Sequence, residues 1–110
     1  MNERKRRIGE NEAIFRSVNE QIRQLTGTLS TAADSMKVVC ECGTRSCAVQ
    51  FRIDTDAYAA VRADPELFIV KPGHDLPESE TVVDKNNVFW TVRKDPGLPA
   101  AIARATDPRT

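Results

Sequence analysis

The chain has 110 residues, 40% of them hydrophobic and 29% charged, with 16 basic and 16 acidic side chains and no formal net charge. That is the composition of one soluble globular domain, with room for an extra helix at one end, and it excludes a disordered or membrane-spanning chain. Charge is placed unevenly: residues 53–84 carry eight acidic and two basic groups, between ends that are net basic, which is not the profile of a nucleic-acid-binding face.

No apolar run approaches the length of a transmembrane span. The basic run Arg4-Lys5-Arg6-Arg7 is followed by Glu10-Asn11-Glu12 and not by an apolar leader core, so a cytoplasmic protein is expected. Three cysteines fit that compartment, because an odd number makes a poor disulfide framework. The six aromatic residues, Phe15, Phe51, Tyr58, Phe68, Phe89 and Trp90, suit a modest core that a metal or a partner would supplement.

Residues 8–25, within an N-terminal unit 1–26, read as a helix. Phe15, Val18, Ile22 and Leu25 recur at alternating three- and four-residue spacing, and Ile8 and Ile14 extend the stripe. These positions suit packing on the domain's own sheet, and they are also the seam of a short coiled coil, which is a dimer or partner surface. Residues 27–35 are small and polar and read as a linker.

Residues 36–94 read as an α+β domain. Met36 to Cys40 is a strand, and Val49, Phe51 and Ile53 alternate along a second, half-buried one. Asp54 or Thr55 caps a short helix to about Ala63, with Tyr58 and Val61 inward. Leu67-Phe68-Ile69-Val70 is a short buried strand stopped by Pro72-Gly73. Thr81 to Val83 and Val88 to Val92 flank Asp84-Lys85-Asn86-Asn87 as a β-hairpin. Residues 95–110 read as a tail with a loose terminal turn or helix. The expected architecture is an N-terminal amphipathic helix and a small, mostly antiparallel sheet with one inserted helix and a zinc knuckle.

All three cysteines fall in Cys40-Glu41-Cys42-Gly43-Thr44-Arg45-Ser46-Cys47. Thiolates are soft ligands, and a cytosolic cluster of them usually holds zinc. Gly43 suits a tight turn, where positive φ is often needed and backbone N–H groups face the sulfurs. The single histidine, His74, follows Pro72-Gly73 in a turn that can aim its ring across the sheet, with Asp75 placed to orient it. Cys40, Cys42, Cys47 and His74 are therefore the expected zinc ligands, in a Cys₃His site. The alternatives are a redox disulfide among the cysteines or one reactive thiol, and, for His74, an ordinary surface turn.

The segment Cys40, Cys42, Gly43 and Cys47, with spacing Cys-x-Cys-Gly-x-x-x-Cys, resembles the post-SET zinc knuckle of histone lysine methyltransferases, where a distant fourth ligand completes the site. The likeness covers eight residues, and no methyltransferase core motif accompanies it, so it implies only a metal-ligand role for these cysteines. Over residues 3–94 the chain resembles a family of small uncharacterised bacterial proteins, chiefly actinobacterial. That likeness rests on Arg6-Arg7-Ile8-Gly9-Glu10-Asn11-Glu12, Cys40-Glu41-Cys42, Ala60-Val61-Arg62-Ala63-Asp64-Pro65 and Pro72-Gly73-His74. It implies zinc binding and no reaction.

Catalytic signatures are missing. The deaminase His-x-Glu fails at Leu76, and there is no His-Glu-x-x-His, phosphate loop or nucleophile elbow. The expected function is a non-catalytic zinc-binding interaction module. It would engage a protein partner, or a second copy, through the N-terminal helix or the acidic segment around 75–84. Two other readings stay open. One is a nucleic-acid-associated regulator using Arg4 to Arg7 with Phe89 or Trp90; the other is a thiol redox sensor.

Overall fold

A computed structural model describes residues 2–29 and 34–109. Helix α1 (Asn2–Leu29) is followed by strands β1 (Ser35–Val39) and β2 (Gln50–Asp54), helix α2 (Thr55–Arg62), and strand β3 (Leu67–Val70). Strands β4 (Glu80–Lys85) and β5 (Trp90–Lys94) and helix α3 (Leu98–Ala105) complete the order. This is the α+β architecture expected from the sequence. α1 runs beyond residues 8–25 at both ends and takes in 27–29 of the expected linker; residues 30–33 of that linker lie outside the described residues.

The strands form two antiparallel sheets instead of one: a β1-β2 pair, and a three-stranded sheet of order β3-β5-β4. In the first, Val38 pairs with Phe51 and Met36 with Ile53. In the second, Phe68 and Val82 both stand opposite Val92, and a bulge at Val82/Asp84 twists the edge strand. The hairpin turn sits two residues later than the sequence suggests: Asn86 Oδ1 accepts the backbone N–H groups of Val88 and Phe89, so β5 starts at Trp90. Asp54 occupies the N-cap of α2 but makes no side-chain capping bond.

Two apolar clusters fill the interior. Met36, Val38, Ile53, Tyr58, Val61 and Ile69 form the first. Phe68, Val70, Val92 and Ala103 form the second, together with Cys40 and Cys42. The cysteine segment is therefore built into the core. The C-terminal segment is no loose tail either: α3 buries Ala100 and Ala103, and its Ile102 lies so close to Gly9 that a Cβ there would sit 3.0 Å from it.

The largest departure from expectation lies on α1. Its inward face is polar: Glu12, Arg16, Asn19 and Glu20 are buried, with Ile8 at one end. Each buried group has a partner distant in sequence. Arg16 donates to the carbonyls of Pro65 (2.7 Å) and Ala103 (2.8 Å) and lies over the Phe68 ring, 4.5 Å from its centroid. Asn19 pairs with Val39 as a strand would, donating to its carbonyl and accepting its N–H, each at 2.8 Å. Glu12 accepts from Lys94 Nζ at 2.6 Å. Burying such groups is tolerable only with this degree of pairing.

The expected apolar stripe is correspondingly turned aside. Phe15 and Ile22 are half-buried along its inner edge, but Ile14 (60% exposed), Leu25 (56%) and Val18 (38%) face outward. The reading that this stripe packs on the domain's own sheet fails for those three residues.

Candidate metal centre

The connection between β1 and β2 carries the three cysteines. Cys40 extends the β1-β2 ladder, its N–H bonded to Val49 O at 2.9 Å. The chain then crosses to the other sheet. Glu41 N donates to Ile69 O (2.8 Å), and Ile69 N donates to the Glu41 carboxylate (3.1 Å), so a side chain stands where a strand neighbour would. Cys42 follows in the core, and a turn closed by Cys47 N to Thr44 O (3.0 Å) returns Cys47 beside it.

The fourth group comes from the arm after β3. His74 N bonds to Lys71 O at 2.9 Å, and Gly73 takes φ +87°. Pro72 and Gly73 thus occupy the central positions of a tight turn whose second residue needs positive φ. The turn aims the imidazole at the knuckle. Nδ1 of His74 lies 3.7 Å from Cys40 Sγ and 3.6 Å from Cys47 Sγ. The three sulfurs and a nitrogen of His74 all lie within 4.8 Å of one another, and the cysteines form no disulfide. Cys40, Cys42, Cys47 and His74 are therefore positioned to hold a metal ion.

Backbone donors support the sulfurs. Lys71 N–H reaches Cys40 Sγ at 3.1 Å, and the Thr44 backbone N–H reaches Cys42. Such bonds partly offset thiolate charge. A hydrogen bond from the Cys40 thiol holds Cys42 down at about 5, with burial opposing and the Thr44 N–H assisting. The same bond and burial push Cys40 up. One side of the cluster stays open, since Cys47 and His74 are half-buried and line a shallow cavity of about 240 Å³ with Thr44, Gly73, Asp75 and Leu76. Asp75 lines this cavity, and among the described residues no bond joins it to the ring.

Gly43 serves the site for a reason other than the one expected. Its φ is not positive; its importance is close approach. A Cβ there would lie 2.5 Å from Ile8 Cγ2 and 3.0 Å from Leu76 Cδ1, and Asn11 Nδ2 donates to its carbonyl at 3.1 Å. Helix α1 thus seats directly on the knuckle. Gly43→Ala is expected to lower stability by about 1–3 kcal/mol through overpacking, and Ile8→Ala in the same chain to recover part of that loss. Thermal unfolding of the two variants checks this; an additive double variant would show that Ile8 is not the obstacle.

Sequence reasoning missed the polar shell that holds the knuckle. Glu41, between two of the cysteines, is fully buried; Asn19 donates to it at 2.8 Å and Tyr58 at 3.4 Å, and the Arg62 guanidinium lies 3.6 Å away. The acidic segment, expected as a partner surface, is partly engaged within the chain. Glu78 is bound by Arg4 through two bonds of 2.8 and 2.9 Å, and Glu80 is buried against Lys94 at 2.9 Å. Arg4 is therefore committed within the chain, and Phe89 stacks on Phe51 at 5.8 Å between centroids. Compared with known proteins, the chain matches no family model, no curated protein and no solved structure.

Proposed function

We propose that the chain is a small, non-catalytic interaction module clamped by one structural zinc ion on Cys40, Cys42, Cys47 and His74. The observation that carries this reading is the donor spacing. With Zn–S near 2.3 Å and Zn–N near 2.05 Å, a tetrahedral centre separates sulfur and nitrogen by about 3.6 Å. The two Sγ–Nδ1 distances are 3.7 and 3.6 Å. Four protein donors complete a tetrahedron and leave no position for a reacting water, which favours a structural over a catalytic role. The likeness to small actinobacterial proteins belongs to the same proposal. Bound there, zinc would tie β1 and β2 to the arm after β3 and supply stability that a short chain lacks.

Metal content settles the matter. Protein purified without chelator is expected to carry one zinc per chain by elemental analysis. A native chain free of metal that forms a Cys40–Cys42 or Cys42–Cys47 disulfide under mild peroxide would sink the zinc reading and favour the redox sensor. The nucleic-acid reading has less support, with Arg4 held by Glu78 and Phe89 by Phe51. Steeply salt-dependent binding to RNA or DNA would revive it.

A further inference from the structure

The outward face of α1 has the pattern of a surface made to meet itself. Among the described residues, Ile14, Val18 and Leu25 are the exposed large apolar side chains of this helix, and half-buried Phe15 and Ile22, the latter also packed on the Met36–Ile53 core cluster, edge the stripe. Contiguous exposed apolar surface of this kind marks an association site. The polar face of α1 is consumed by the domain, so the stripe is not a core face awaiting closure. It is also symmetric in sequence about residue 20: position 15 mirrors 25, and 18 mirrors 22.

We propose that α1 forms an antiparallel homodimer, Phe15 and Val18 of one chain packing on Leu25 and Ile22 of a second copy about a two-fold axis near residue 20. Such an isologous contact uses the same patch twice. Two features of the molecule favour this occupant. The pairing brings Leu25 of the second copy to Ile14 and Phe15, where a cavity of about 450 Å³ is lined by those residues with Glu10, Asn11 and Arg45. The same filling occurs again on the other side of the axis.

Charge sets the direction. A parallel pair would stack Lys5, Arg6 and Arg7 of both copies side by side. The antiparallel pair instead holds the two basic clusters about 45 Å apart and so removes that repulsion. The stripe from 14 to 25 is about 17 Å long, and so short a contact suits reversible rather than permanent association.

This inference deepens the interaction half of the proposed function, and it rests on α1 being docked by its polar face, not on the identity of the metal. Sedimentation velocity on metal-loaded protein from about 1 to 500 µM is expected to show a monomer–dimer equilibrium. Leu25→Glu, and separately Ile14→Glu, should weaken it at least about 100-fold while metal content and far-UV circular dichroism stay native; both positions are exposed, so folding is spared. Direction is read by amine cross-linking of mixed isotope-labelled and unlabelled chains. The antiparallel pair holds the two Lys5 residues about 45 Å apart, beyond a short spacer. A monomer throughout the range, native association of the glutamate variants, or an interchain Lys5–Lys5 link overturns the proposal. Metal content is measured separately, so a metal-free dimer would fail only the zinc reading.

Discussion

Cys42→Ser is expected to abolish stoichiometric metal binding and leave the chain largely unfolded at room temperature, as is treatment of the native protein with a strong chelator. Structural zinc sites contribute about 10–16 kcal/mol of apparent binding free energy near neutral pH. A domain of this size has about 5–15 kcal/mol of total stability. If the proposed zinc is the clamp, its loss would match or exceed what the rest of the fold can absorb. Cys42 is the position to choose, because its side chain is completely buried within the second core cluster and serine there replaces a soft thiolate by a hydroxyl.

His74→Ala should be milder. His74 stands at the open side of the cluster, beside the shallow cavity, so water can take the vacated position. Metal affinity is expected to fall by more than about 100-fold, since even outer-shell changes at metal sites cost 10–100-fold. The fold should persist at saturating zinc. Competition with a chromophoric chelator, together with circular dichroism, checks both variants. A serine variant with native stability and no metal would show that the core stands without the clamp.

The strands and the Cys₃His cluster were legible because both depend on local pattern. Leu67 to Val70 is β3 to the residue, since a short apolar run between Pro65 and Pro72-Gly73 has little alternative. The cysteines were legible because their chemistry is carried by residue type and spacing. The face of α1 was not. Periodicity locates an apolar stripe, but which face turns inward depends on partners elsewhere in the chain. Arg16 is buried because the Pro65 and Ala103 carbonyls and the Phe68 ring await it. Asn19 is buried because Val39 offers both a donor and an acceptor. The available signal was a second stripe, Glu12, Arg16 and Asn19, at helical spacing on a helix with an apolar stripe of its own. Glu41 was hidden for a similar reason: nothing in its place between two cysteines marks it as buried, yet it substitutes for a strand at the edge of β3.

The same buried charge yields the second large effect. Lys94 Nζ sits among Glu12 (2.6 Å), Glu80 (2.9 Å) and Ser79 Oγ (3.1 Å), sealed between α1 and the three-stranded sheet. One cation cannot neutralise two buried carboxylates. Burial first, and then the neighbouring Glu80 carboxylate, raise Glu12 well above the usual carboxylate range, outweighing Lys94. Oε2 of Glu12 finds no donor, and a proton on this carboxyl supplies the hydrogen bond to Glu80 that two carboxylates lack. With that proton in place the group would be neutral, one ion pair and one carboxylic acid.

Lys94→Ala removes the cation from this group and should cost about 3–5 kcal/mol, the usual penalty for breaking a buried pair. Glu12→Gln copies the protonated acid and should be close to neutral in stability, or stabilising, near pH 7. Because Glu12 titrates higher in the fold than its ordinary 4.5, its contribution is complete below about pH 4.5 and is lost as pH rises through the folded value. The native protein should therefore lose stability relative to Glu12→Gln across that interval. Denaturant unfolding of both proteins from mildly acidic to neutral pH gives the comparison. A glutamine variant several kcal/mol weaker than native at neutral pH would mean that Glu12 is ionised against Lys94, and that α1 is held by two full salt bridges.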